Sequence, residues 1–323
     1  MNEFELIDKI KQLTYKQRSV IKGIGDDAAV FRPSIHDVVT AVDTFVDNVH
    51  FSSKTTMPFH IGYRSLAANI SDIAAMGADP KFYLVSLVVP STIDDSTILD
   101  IYQGMNELAN DYKMDLIGGD TVSGSQLVIS ITVFGYVLPN QVRYRSDAKR
   151  DDIVFVTGTL GDARAGLEIL LHDLEIENES YFIDRHQMPR PRVDFVNQLH
   201  HIKRMALNDI TDGIANELFE IGDASDVDII INDASIPVHH SFHRFSDKEQ
   251  HNWKYFGGED FELVGTVSAA KWQELEKVAQ QLEMKVSKIG KVYPKQNHHS
   301  QVLLQKKNQV IPLKRKGYIH LSR

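Results

Sequence analysis

The chain lacks cysteine entirely, which excludes disulfides, thiolate metal sites and a cysteine nucleophile. It has no apolar run approaching the roughly 20 residues of a membrane-spanning helix. The opening Met1-Asn2-Glu3-Phe4-Glu5-Leu6 lacks the basic start and apolar core of a secretory signal, so a cytoplasmic protein without membrane association is expected. Positive charge is in short supply. The 35 Lys and Arg against 44 Asp and Glu leave a net charge of −9, which argues against a general nucleic-acid or anionic-membrane surface. A phosphate substrate stays open, because bound metal inverts the local field. No low-complexity segment or short repeat is present.

The 323 residues suit two domains of ordinary size. Their periodicity predicts a short helix over 3–13, a strand over 37–45 and a helix over 63–76 whose buried stripe is Leu66, Ile70 and Ile73, with Gly77 as the stop. Ser65, Asn69 and Asp72 form a polar stripe at the border of the apolar one, a placement suited to a partly buried cleft. A strand over 81–89, a helix over about 98–112 with Asp94 and Asp95 near its start, and a strand over 126–137 follow. The polar, basic stretch 143–152 is read as the boundary between domains 1–148 and 149–323. Beyond it come a strand over 153–157, a turn at Gly158-Thr159-Leu160-Gly161, a helix from Asp162, an irregular segment over 173–192, a helix after Gly213 and another over 269–282. Alternating strands and helices give an α/β or α+β class.

What the chain has in abundance is acid beside glycine: Gly25-Asp26-Asp27, Asp43-Thr44, Gly118-Gly119-Asp120-Thr121, Asp209-Ile210-Thr211-Asp212-Gly213 and Gly257-Gly258-Glu259-Asp260, with Asp72 in a helix. Carboxylates brought together repel unless a cation lies between them. Mg²⁺ suits such oxygen sites and usually shares them with phosphates. Each signal alone has a plain structural alternative. Gly25-Asp26-Asp27 reads as a turn, Gly118-Gly119-Asp120 as a hairpin turn, and Thr211 or Asp212 as a helix cap. Asp43 inside an apolar strand needs a partner or a strand end. Arg145, Lys149 and Arg150 read as a solvated face or a phosphate clamp. His50 reads as structural or as reaching the cleft of Asp43, while His239-His240 reads as a surface pair. Standard nucleotide signatures fail: the P-loop-like spacing Gly119 to Gly124 is followed by Ser125 instead of Lys, and Gly161 to Gly166 also lacks the Lys-Ser/Thr ending.

Gly23-Ile24-Gly25-Asp26-Asp27-Ala28, Asn48-Val49-His50-Phe51, the run Asn69 to Pro80, Gly118 to Thr121, Thr157 to Asp162, Asp209 to Gly213 and Gly257 to Leu263 occur in an order that resembles the thiamine-monophosphate kinase family, within the aminoimidazole ribonucleotide synthetase superfamily. The resemblance implies ATP-dependent phosphorylation of thiamine phosphate to thiamine diphosphate. It implies several Mg²⁺ ions held by Asp27, Asp43, Asp72, Asp120, Asp209 and Asp212, and ATP contacts from Gly119, Asp120, Arg145 and Thr211. His50, Glu259 and Tyr318 would line the thiamine site. The implied fold is a homodimer whose N-terminal domains pair strands into a barrel, each with a C-terminal α/β domain. Two departures stand out. Ala41-Val42 replace the hydroxyl residues usual before the strand Asp, so metal contacts there would use backbone carbonyls. Ile319 replaces the usual acid in Gly317-Tyr318-Ile319-His320. An aminoimidazole ribonucleotide synthetase and a non-catalytic regulator that kept the fold are the competing readings.

Overall fold

The computed structural model describes residues 3–12, 14–24, 29–33 and 35–316. The chain divides into two compact units, Met1–Ala74 with Ala78–Asn140, and Ala75–Gly77 with Gln141–Arg323.

In chain order the first part contains α1 (Glu3–Ile10), β1 (Val20–Lys22), β2 (Val30–Phe31), β3 (Asp37–Val46), α2 (Pro58–Ala75), β4 (Asp79–Pro90), α3 (Asp95–Asp111), β5 (Asp115–Gly124) and β6 (Val128–Val137). The main sheet has the order β3-β6-β4-β5. β6 is antiparallel to both neighbours, and β4 runs parallel to β5. The parallel pair requires a crossover, which α3 supplies. α2 begins at Pro58 rather than Tyr63. Proline is tolerated in a first helical turn because its missing N–H has no intrahelical partner there anyway. Leu66, Ile70 and Ile73 are fully buried, as the 3.6-residue period requires. α3 starts where Asp94 accepts a hydrogen bond from the Thr97 N–H at 2.8 Å.

The second part contains β7 (Ile153–Thr157), α4 (Asp162–His172), α5 (Glu179–Gln187), α6 (Val193–Gln198), β8 (Met205–Asp209), α7 (Ile214–Ser225), β9 (Val227–Asn232), α8 (Asp247–Phe256), β10 (Leu263–Val267), α9 (Trp272–Gln281), β11 (Val286–Pro294), β12 (Val302–Lys306) and β13 (Gln309–Pro312). Its sheet has the order β13-β12-β9-β11-β7-β10-β8, with β9 and β12 parallel and the remaining pairs antiparallel. Ile214, Leu218 and Ile221 of α7 pack with Val154, Val156, Ile229 and Val264 of the sheet in one apolar core. Ala165 and Ile169 of α4 pack with Phe182, Phe242, Phe245 and Trp253 in a second.

The architecture is thus mixed α/β in two units, and no closed barrel forms among the described residues. Three local expectations change. Gly118-Gly119-Asp120 lies inside β5 rather than in a turn. The segment 173–192 carries α5, anchored by the buried Phe182. The His239-His240 pair divides: His239 is half-buried and stacks on Tyr181, with ring centroids 4.0 Å apart, while His240 is exposed. Among the described residues, no helix is long and apolar enough to cross a membrane.

Candidate functional site

In the first unit the acids lie on three different elements. Asp43 sits within β3, opposite Ile131 of β6, and is half-buried. Its backbone N–H donates to Asn69 Oδ1 at 2.9 Å. Asn69 Nδ2 donates to the Ser65 carbonyl at 2.9 Å, and Ser65 Oγ donates to the Ile61 carbonyl at 2.7 Å. Ser65 and Asn69 are both fully buried. The polar stripe of α2 therefore faces strand β3, and Asp72 follows one turn later on the same helix. Before Asp43, Ala41 is half-buried, while Val42 is 61% exposed.

Asp120 is exposed on β5, paired with Ser86 of β4. The preceding Gly119 explains how glycine comes to stand in a strand. A Cβ there would lie 2.0 Å from the Val85 carbonyl oxygen, so only glycine allows this approach of the two backbones. Burial pushes the Tyr102 hydroxyl of α3 up to about 12, against the opposing pull of a side-chain hydrogen bond from Thr121, the residue after Asp120. His50 lies in the turn after β3. Its Nδ1 accepts from the Val46 N–H at 3.1 Å, and its ring tilts against Phe45. With Nδ1 an acceptor, the neutral ring carries its proton on Nε2.

In the second unit, Asp209 ends β8 and is 4% exposed. Thr211 Oγ1 donates to Asp209 Oδ2 at 2.8 Å, a use of the hydroxyl distinct from the expected helix cap. The Asp212 N–H donates to Glu217 Oε1 at 3.1 Å. Asn208 Nδ2 donates to Glu217 Oε2 at 2.5 Å, and Asn208 Oδ1 accepts from Arg145 Nε at 2.9 Å. Arg145 also pairs with Glu220 at 3.0 Å, with half of its side chain exposed. Arg150 instead pairs with its neighbour Asp151 on the surface. Burial, then the charges of Asp209, Glu220 and Asp212, push the Glu217 carboxyl far above the usual carboxylate range. Crowded acids of this kind are relieved by a cation.

The loop 257–262 is laced onto the loop after β8. The Glu259 N–H donates to the Thr211 carbonyl at 2.8 Å, the Phe261 N–H to the Ile210 carbonyl at 3.1 Å, and the Ile210 N–H to the Glu262 carbonyl at 2.8 Å. A Cβ on Gly258 would lie 2.3 Å from the Thr211 carbonyl oxygen, so glycine is again what permits the contact. Glu259 itself takes φ +65°, a left-handed conformation uncommon for a residue with a side chain. Such positions persist only where the surroundings hold them.

Those surroundings include residues to which sequence reasoning assigned no role. Glu262 is fully buried and accepts from Arg185 Nη2 at 2.7 Å, Arg192 Nε at 2.6 Å and Thr157 Oγ1 at 2.6 Å, with Arg192 Nη2 closing a fork. Arg185 Nη2 also donates to the Asp260 carbonyl at 3.1 Å. Burial alone would raise the Glu262 carboxyl, but the charges of Arg192 and Arg185 and the hydrogen bonds hold it below its ordinary value. Asp260 accepts from the N–H groups of Gly161 and Ala163 at 2.7 and 3.0 Å, at the start of α4. Burial, and next the charge of Asp162, push Asp260 up to about 8. The signal available in the sequence was a pair of acids two residues apart leading into the apolar β10, since buried acids demand partners.

Asp27 and Tyr318 lie outside the described residues. Among those described, no set of three or more Asp, Glu or His side chains is arranged to hold a metal ion by itself. The donors present are carboxylate oxygens, which fit Mg²⁺ when water and phosphate supply the remaining ligands.

Comparison with known proteins adds the following. The family model for the AIR synthase related protein, N-terminal domain, matches residues 25–137, and that for the C-terminal domain matches residues 149–302. The chain is 46% identical to the thiamine-monophosphate kinase of Bacillus subtilis (strain 168) over 329 aligned positions, covering 100% of both. The crystal structure of thiamine-monophosphate kinase from Stenotrophomonas maltophilia K279a superposes with a TM-score of 0.84 at 31% identity, over 94% of this chain and 96% of that one. AaThiL complexed with AMPPCP and TMP superposes with a TM-score of 0.75 at 28% identity, over 96% of each chain.

Proposed function

Because the chain belongs to the thiamine-monophosphate kinase family, we propose that it transfers the γ-phosphoryl group of ATP to the phosphate of thiamine phosphate, giving thiamine diphosphate and ADP. The observation that carries the reading is the likeness to the Bacillus subtilis thiamine-monophosphate kinase, 46% identical over the full length of both chains. In this reading the hydrogen bond from the Glu259 N–H to the Thr211 carbonyl would tie a residue of the thiamine phosphate side to one of the ATP side. AaThiL complexed with AMPPCP, an ATP analogue, and TMP supports the same pair of substrates.

An oxygen of the acceptor phosphate forms the new bond to the γ-phosphorus. The bond from that phosphorus to the β-phosphate oxygen breaks, and ADP leaves with the electron pair. The acceptor phosphate has a second pKa of about 6, so it is a competent nucleophile near neutrality and no general base is assigned. In-line positioning and charge neutralisation are what such a transfer needs from the protein. In this reading Gly119 lets backbone N–H groups approach phosphate, Arg145 and Thr211 hold ATP, and His50, Glu259 and Tyr318 orient the thiamine group. Asp27, Asp43, Asp72, Asp120, Asp209 and Asp212, with the carbonyls of Ala41 and Val42, would hold Mg²⁺. When bound, the metal supplies the positive charge that lets two polyanions meet.

Homodimer formation through the N-terminal strands belongs to the same proposal. It is supported by β3, which pairs only with β6 among the described residues and exposes Val38 and Val42 at 43% and 61%. An open apolar edge strand is usually covered. Residues 1–148 would then form the ATP, Mg²⁺ and dimerisation domain, and 149–323 the C-terminal α/β domain. A cytoplasmic place completes the reading.

The test is ADP release from MgATP with thiamine phosphate, thiamine or aminoimidazole-ribonucleotide precursor as the second substrate. Release dependent on thiamine phosphate, with thiamine diphosphate found by chromatography, is expected. MgATP binding without turnover on any of the three would favour a regulator.

A further inference from the structure

Asn69 is a fully buried amide that uses both ends of its side chain. Oδ1 accepts from the Asp43 N–H and Nδ2 donates to the Ser65 carbonyl, both at 2.9 Å. The first bond joins β3 to α2 at the strand residue that carries an acid, and the helix presents its own acid, Asp72, one turn further on. Ser65 Oγ is turned back to the Ile61 carbonyl at 2.7 Å, so the neighbouring hydroxyl is occupied within the helix.

β3 does not need this tether to form. It is paired with β6 residue by residue from Asp37 to Val46. Nor does the helix need it, since Leu66, Ile70 and Ile73 are buried along a separate stripe. What the tether adds is a fixed relation between the strand backbone at Asp43 and the helix at Asp72. An amide suits the place because it offers an acceptor and a donor at once. A carboxylate would have no donor for Ser65, and a leucine would leave the Asp43 N–H without this acceptor.

We propose that Asn69 is a positioning residue that sets the spacing of Asp43 and Asp72 and thereby the affinity of the site for Mg²⁺, without touching the metal itself. The inference rests on the reading that these two carboxylates hold Mg²⁺. Groups that orient metal ligands typically contribute about 10–100-fold to metal affinity or activity.

The experiment compares the full-length wild type with Asn69→Ala, Asn69→Leu and Asp43→Asn. Two readouts are taken: Mg²⁺ dependence of turnover, and Mg²⁺-dependent thermal stabilisation with a non-hydrolysable ATP analogue present. Both Asn69 variants are expected to need about 10–100-fold more Mg²⁺ for half-maximal rate and for half-maximal stabilisation. Turnover at saturating Mg²⁺ and the KM for thiamine phosphate should stay within about twofold of wild type, which distinguishes looser metal from a damaged fold. Wild-type Mg²⁺ dependence in both Asn69 variants, alongside a weakened Asp43→Asn, overturns the proposal and leaves the metal reading standing. Unchanged Mg²⁺ dependence in Asp43→Asn removes the metal reading and the proposal with it. If neither Asn69 variant folds, the residue serves the fold and the proposal falls. Leucine is included because it keeps most of the volume that alanine would leave empty.

Discussion

Replacing Glu262 with glutamine tests whether one buried carboxylate holds the second unit's loops together. Glu262 is fully buried, and its oxygens accept from Arg185, Arg192 and Thr157. Glutamine keeps the shape but turns an NH₂ group toward guanidinium donors and removes the carboxylate that the two cations share. Removing one partner of a buried ion pair typically costs about 3–5 kcal/mol. The arginine side chains are 13% and 19% exposed, so water reaches them and the lower end, about 3 kcal/mol, is expected. For a unit of this size that corresponds to roughly 6–12 °C in melting temperature. Urea unfolding should show a lower midpoint with an unchanged slope. The pH dependence has a definite sign. The Glu262 pKa is held below its ordinary 4.5, so its contribution is present above that value and is lost as pH falls through the folded-state pKa. The gap between wild type and Glu262→Gln should therefore close in acid. The double variant Glu262→Gln with Arg192→Gln should be less destabilised than the sum of the singles, because the two residues touch. A loss under about 1 kcal/mol, or a gap independent of pH, would refute the role given to this carboxylate.

Gly119→Ala should lower kcat/KM at least about tenfold and destabilise by about 1–3 kcal/mol, because its Cβ would meet the backbone oxygen of Val85 at 2.0 Å. Gly118→Ala, which meets only the tip of the Leu84 side chain at 3.1 Å, should remain near wild type in both assays. Asp260→Asn should lose stability at pH 5 and regain ground by pH 8, as read by urea unfolding. The buried Asp260 has its pKa pushed from 3.8 to about 8, so wild type loses stability as pH rises through that window. Each pH unit there changes the gap by up to about 1.4 kcal/mol per proton. Arg145→Ala should raise the KM for ATP about tenfold with little change in melting temperature, since the side chain is half exposed.

Much of the fold was legible because apolar residues recur at the period of the element that buries them. Leu66, Ile70 and Ile73 marked α2, and the run 153–157 coincides with β7. The misreadings share a cause: what holds those segments lies far away in sequence. Glycines at 118 and 119 suggested a turn, yet the absence of a side chain is what admits β5 beside β4. The nine residues of α5 have weak amphipathic patterning, and the segment is tied down by Phe182 and by Arg185 reaching Glu262 across 77 positions. In the site, the acids stood out because glycine accompanies them. Asn69 stood out only as part of a stripe, since its partner Asp43 is 26 residues earlier. Specific roles for His50, Glu259 and Arg145 came from the family resemblance. The structure adds that Glu259 and Arg145 both adjoin the loops around Asp209 and Asp212, through Thr211 and Asn208 respectively.

The most direct measurement follows the label from ATP marked at the γ-phosphate, with thiamine phosphate and Mg²⁺, in wild type and Asp120→Asn. The account predicts labelled thiamine diphosphate from wild type in amounts matching ADP, and almost none from Asp120→Asn while the variant remains folded. Label appearing as free phosphate, or an Asp120→Asn enzyme as active as wild type at every Mg²⁺ concentration, would contradict it.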